Sequence, residues 1–146
     1  MTDKTLSADD RNAIYDLLGR LAWAFDTGDV EGIAGLFTED GTMIQGSGDR
    51  FQGPEKLREF AIRAATGERA QNRQHVSKHL YVFPVGDGWT VRSFLQIFVA
   101  DPESGAVAVR TMSYSDDTCV KTNAGWRIKE RRNGAWFGDA IPKPGS

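Results

Sequence analysis

The sequence predicts an α+β fold in which helices cover one face of a strongly curved antiparallel sheet. Three observations carry this. Apolar residues recur at helical spacing in the first part of the 146-residue chain. From Arg73 onward the pattern changes to that of strands. Three turn signals then divide the second half into four runs, about 74–84, 89–100, 106–121 and 125–137.

The first helix has the clearest pattern. Ser7, followed three residues later by Asp10, is a capping arrangement. Ile14, Leu17, Leu18, Leu21, Ala22 and Phe25 then form one stripe, and Gly28 ends the helix. Asp29 is placed to cap a second helix carrying Val30, Ile33, Leu36 and Phe37. Gly32 and Gly35 weaken that helix unless something packs closely on them. Residues 42–45 read as a short strand. Gly53-Pro54 opens a third helix with proline at its first position and Leu57, Phe60, Ala61 and Ala64 on its apolar side.

The turns of the second half are Asp87-Gly88, the segment 101–105 and the segment 122–125. In an unbulged first run His75, Ser77, His79, Tyr81 and Phe83 share a face. In the second run Val91, Leu95, Ile97 and Val99 point one way and Phe94 and Phe98 the other, so both faces of the sheet need cover. Helices cover one, and a second copy of the chain is the expected cover of the other.

Composition sets limits. A hydrophobic fraction of 40% and a charged fraction of 26% are those of a globular domain. One domain over 1–146 is expected, with its core over about 9–137 and a loose tail over 138–146. A net charge of −2 provides no basic field for nucleic acid or anionic membrane. The single cysteine, Cys119, excludes an internal disulfide and any cysteine-based zinc site, and is expected to be buried. No apolar run is long enough to span a membrane. The N-terminal MTDKTLSADD lacks the apolar stretch of a signal peptide, so a cytoplasmic location is expected.

Two segments carry the chemistry. WAFDTGD puts the Asp26 carboxylate at the end of the first helix, and RQHVSKH puts the His75 imidazole at the start of a strand. An aspartate and a histidine meeting across an apolar pocket form a proton-transfer pair that needs no cofactor. The bland alternatives are a solvated carboxylate and a core histidine bonded to backbone.

These segments, with GIAGLFTEDGTM, FQGPEKLREF, SYSDD and GWRIKERR in the same order, resemble the SnoaL-like branch of the nuclear-transport-factor-2-like superfamily. The likeness is greatest to the scytalone dehydratase and hexachlorocyclohexane dehydrochlorinase members. It implies a cone-shaped α+β barrel, a curved sheet wrapped around three N-terminal helices, with a pocket opening over the end of the first helix. It implies that Asp26 and His75 form the family's Asp–His pair and that no metal or cofactor takes part. Arg131 stands where the dehydrochlorinase has an arginine on its last strand, with Arg132 one residue away. Leu21 stands where that enzyme has a lysine. Gln45, which cannot act as a base, stands where ketosteroid isomerase has one. The pocket-lining candidates are Leu21, Ala22, Met43, His79, Tyr114 and Arg131, with Tyr114 or Arg131 stabilising developing negative charge.

The reading is a cofactor-independent lyase of dehydratase, dehydrohalogenase or formaldehyde-lyase type, acting on a small hydrophobic, aromatic molecule. An isomerase or polyketide cyclase using the same relay is the second reading, and a non-catalytic binding module the third. No nucleic acid or membrane partner is expected. A homo-oligomer is, with the resemblance favouring a trimer over a dimer.

Overall fold

The computed structural model describes residues 4–143. The end of the tail, 144–146, lies outside them, as does 1–3. Helix α1 (Ala8–Thr27) starts where Ser7 Oγ accepts the backbone N–H of Asp10. It stops at Gly28, whose φ of 71° is open to glycine at little steric cost. Helix α2 (Val30–Ala34) is capped by Asp29, which accepts the N–H of Gly32. A Cβ on Gly32 would collide with that capping carboxylate, so glycine there is a requirement of the cap. Gly35 ends α2, and Leu36 and Phe37 are not part of it. Phe37 instead begins strand β1 (Phe37–Ile44), which is longer than the pattern over 42–45 suggests. A short β2 (Arg50–Gln52), without a counterpart in the sequence pattern, leads to α3 (Pro54–Thr66) with Pro54 in its first turn.

The long meander follows: β3 (Arg73–Val85), β4 (Gly88–Ala100), β5 (Val107–Thr122) and β6 (Gly125–Ala135). The first hairpin turns at Gly86-Asp87, one residue before the Asp87-Gly88 signal, with Gly86 at φ 56°. Gly88 is already in the strand, where a Cβ would collide with the Cys119 carbonyl oxygen. The six strands lie in the order β2-β1-β6-β5-β4-β3. Four of the five pairings are antiparallel, and β1 runs parallel to β6. The sheet is therefore mixed rather than wholly antiparallel.

The core lies between the helices and the inner face of the sheet. Ile14, Leu17, Leu18, Leu21 and Phe25 of α1 pack with Met43, Val91, Cys119 and Ile128 of the strands. The fold class is α+β, three helices under one curved sheet. Gly138–Ala140 of the expected loose tail forms a single 3₁₀ turn. Among the described residues no helix is long and apolar enough to cross a membrane.

Three one-residue bulges decide which side chains face inward. Leu80 is the extra residue between the His79–Ser93 and Tyr81–Arg92 pairs. His75, Ser77 and His79 therefore share a face, but Tyr81 and Phe83 are turned to the other. Arg110 is extra between the Thr111–Ile97 and Val109–Phe98 pairs, and Lys129 between the Glu130–Thr118 and Ile128–Cys119 pairs.

Candidate active site

Asp26 sits in the last turn of α1 and His75 is the third residue of β3. The two are joined twice. The backbone N–H of His75 donates to Asp26 Oδ2 at 2.8 Å, which docks the strand on the helix end. The imidazole Nδ1 lies 2.6 Å from Asp26 Oδ1. A carboxylate can only accept here, so Nδ1 carries the proton and Nε2 is left bare. Phe25 stacks on the imidazole, ring centres 5.1 Å apart and planes 22° apart, which fixes the ring from its side.

Arg73 ties the helices to the same strand. Its Nη2 donates to the carbonyls of Phe25 and Ala64 at 2.8 and 2.5 Å, in the last turns of α1 and α3. Cations belong at that end of a helix. Its Nε is 3.9 Å from Asp26 Oδ1. Burial pushes the His75 pKa below the ordinary 6.5, against the opposing pull of Asp26 and with help from the charges of Arg73 and Arg131. The imidazole is thus neutral at pH 7, the form that can accept a proton.

A cavity of about 370 Å³ opens beside His75. Its apolar wall is Phe25, Met43, Phe60, Ala64, Ala70, Leu95 and Ile97. The rest is polar: Gln45, Arg63, Arg73, Arg110, Arg131 and Asn133. The expectation of a largely apolar pocket is corrected by these four arginines. The volume is that of a small-molecule site.

Arg131 is 5% exposed and directly opposite Asp117, which is 1% exposed. Its Nη1 donates to both carboxylate oxygens of Asp117, at 2.8 and 2.9 Å. Burial raises the Asp117 pKa, and the Arg131 charge opposes that rise. The Lys129 bulge puts Ile128 and Arg131 on the same inner face, and Arg132 points outward toward Glu130. Ser115 also bonds Asp117, at 3.3 Å.

Of the other candidates, Met43 lines the cavity. His79 lies further along β3, its Nδ1 2.8 Å from Ser93 Oγ and its ring 4.5 Å from that of Tyr15. It does not line this cavity. Leu21 is packed in the core and Ala22 is half-buried on α1, and neither forms part of the cavity wall. Tyr114 is a correction. Ser113, Ser115 and Asp117 take the inner face of β5, so Tyr114 is on the outer one, beside Trp136 and under the Arg92 guanidinium. The same alternation would place Arg110 with Tyr114, but the bulge at Arg110 returns it to the cavity.

Sequence reading misses Arg63, Arg73, Arg110, Asn133 and Asp117. Asp117 has a signal: it alternates with Ser113, Ser115 and Cys119, a face too small to be solvated loop. The others are polar residues at element ends or bulges, where periodicity has no information.

A curved sheet laid over three helices, with a cavity between them, places the protein in the cone-shaped NTF2-like class. The chain belongs to the SnoaL-like domain family, whose model matches residues 7–132. That family's members include dehydratases, ketosteroid isomerases and polyketide cyclases. Solved structures agree on the fold. An NTF2-like protein with a cystatin-like fold from Novosphingobium aromaticivorans is 26% identical, with a TM-score of 0.78 over 90% of this chain and 85% of that one. A variant of Rv3472, a protein of unknown function from Mycobacterium tuberculosis, is 27% identical, with a TM-score of 0.76 over 94% of this chain and 82% of that one. Aln2 from a Streptomyces species is 22% identical, with a TM-score of 0.79 over 90% of this chain and 94% of that one. No curated protein matches the sequence.

Proposed function

We propose that this protein is a cofactor-independent lyase in which His75 is the base and Asp26 its orienting partner. The observation that carries the reading is the 2.6 Å contact between Asp26 Oδ1 and His75 Nδ1 beside a cavity that fits a small aromatic molecule. Asp26 holds the proton on Nδ1 and stabilises the imidazolium that forms. The bare Nε2 takes a proton from a substrate carbon. The electrons of that C–H bond form a double bond to the neighbouring carbon, and the group there departs with its bonding pair. The imidazolium then returns the proton to the leaving group or to water. Arg131, in the cavity wall, stabilises negative charge on the way. Tyr114, on the outer face, takes no part.

Mass spectrometry separates the readings. Incubation with aromatic compounds bearing a hydroxyl or halide on the carbon next to an acidic C–H should yield a product lighter by water or hydrogen halide. A product of unchanged mass in H2O that gains deuterium in D2O indicates the isomerase instead.

We also propose that the chain self-associates through the outer face of the sheet, a trimer being favoured over a dimer. Val107, Val109 and Met112 of β5 are all more than half exposed there. Phe94 and Tyr114 lie against Trp136 beside them. Light scattering at micromolar concentration should return a multiple of 16.1 kDa, and a monomer would overturn this.

A further inference from the structure

The cavity wall has one sign of charge. Among the described residues that line it, Arg63, Arg73, Arg110 and Arg131 carry guanidinium groups and none carries a carboxylate. Asp26 and Asp117 are each bonded to a lining residue, His75 and Arg131. Arg131 reaches Asp117 through Nη1 alone. Its Nε–H is buried and has no acceptor within the protein. Two residues along β6, also in the wall, Asn133 Oδ1 is buried with no donor. An unmet donor beside an unmet acceptor, in a site sized for a ligand, is an arrangement that a matching ligand completes. Alternate strand positions are about 6.5–7 Å apart. The ligand must therefore offer an anionic oxygen and, several bonds away, an O–H or N–H.

We propose that the cavity selects an organic anion, an aromatic carboxylate bearing a ring hydroxyl. The carboxylate accepts from Arg131 Nε, the hydroxyl donates to Asn133 Oδ1, and the ring lies against Phe25, Phe60 and Leu95. This names the substrate class of the lyase site and rests on that reading for its place in a reaction, though not for binding. A neutral amide of the same shape can accept from the Nε–H through its carbonyl oxygen, but the bond is not charge-assisted and no anion offsets the water stripped from the guanidinium groups.

Calorimetric titration of the purified protein with 3-hydroxybenzoate, 3-hydroxybenzamide and benzoate tests it. The hydroxybenzoate should bind at least tenfold more tightly than the neutral amide, and more tightly than benzoate. Arg131→Lys keeps a cation on Asp117 but has no Nε–H, and should lose most of the preference for the anion. Asn133→Leu should erase the advantage over benzoate alone, and stands in if Arg131→Lys does not fold by circular dichroism. His75→Ala should keep the anion preference intact, so a failed proton relay and a failed anion site give different results. Equal affinity for acid and amide, preference for the amide, or no binding of any of the three would overturn the proposal.

Discussion

Replacing His75 by alanine is expected to slow turnover by roughly 10²–10⁴-fold while leaving the fold intact. The imidazole borders the cavity, so its removal enlarges a space already present, and its backbone N–H, which docks β3 on α1, survives the change. Asp26→Asn should impair turnover nearly as much, for a reason visible in the bonding. Asp26 accepts two hydrogen bonds from His75, one from the backbone and one from the ring. An amide must keep its oxygen on the backbone N–H, so its NH₂ faces the ring. That donor makes Nδ1 an acceptor and moves the proton to Nε2, the nitrogen that must be bare. His79→Ala should cost much less, since His79 bonds Ser93 away from the cavity wall. These variants are compared in the mass-spectrometric assay on the same substrate. Near wild-type turnover by His75→Ala would remove the relay as the source of the activity.

The second large effect is on stability. Arg131→Met should destabilise the protein by about 3–5 kcal/mol, because it leaves Asp117 buried without its partner. Asp117→Leu combined with Arg131→Met should recover most of the loss, since an apolar pair of similar size has no charge to desolvate. The single variant should also respond to pH in a stated direction. Burial raises the Asp117 pKa, so the folded state binds its proton more readily than the unfolded chain. That contribution is fully present below the unfolded value of 3.8 and is lost as pH rises through the folded value. With Arg131 gone the rise is larger, and the variant should recover stability relative to the wild type as pH falls. Urea denaturation at several pH values measures both effects. A single variant as stable as the wild type would show that Asp117 is not held as described.

Helix ends are the most legible part of this chain. Ser7, Gly28, Asp29 and Pro54 act locally, each through a bond or backbone angle within a few residues, and each stands at the expected boundary. Asp26 and His75 stand out by residue type, position and family likeness, and the folded chain joins their side chains. Faces of strands are less legible. A bulge shifts register by one residue and exchanges the two faces, and nothing in the local pattern marks Leu80, Arg110 or Lys129 as the extra residue. The bulge at Arg110 is why that residue reaches the cavity while Tyr114, four positions on and outside any bulge, faces outward. The parallel seat of β1 beside β6 is likewise a long-range pairing with no local signal. The cluster of arginines around the cavity comes from α3, β3, β5 and β6, and only the fold brings it together.

The mechanism turns on the position of one proton. The chain has only two histidines, so ¹⁵N–¹H correlation spectra of the labelled protein resolve four imidazole nitrogens. Their titration reads the His75 tautomer without any knowledge of the substrate. The expected spectrum is that of a neutral ring at pH 7 with the proton on Nδ1, a bare Nε2, and a midpoint below 6.5. In Asp26→Asn the proton should move to Nε2. An imidazolium persisting at pH 7, or a wild-type His75 protonated on Nε2, would be incompatible with His75 as the base.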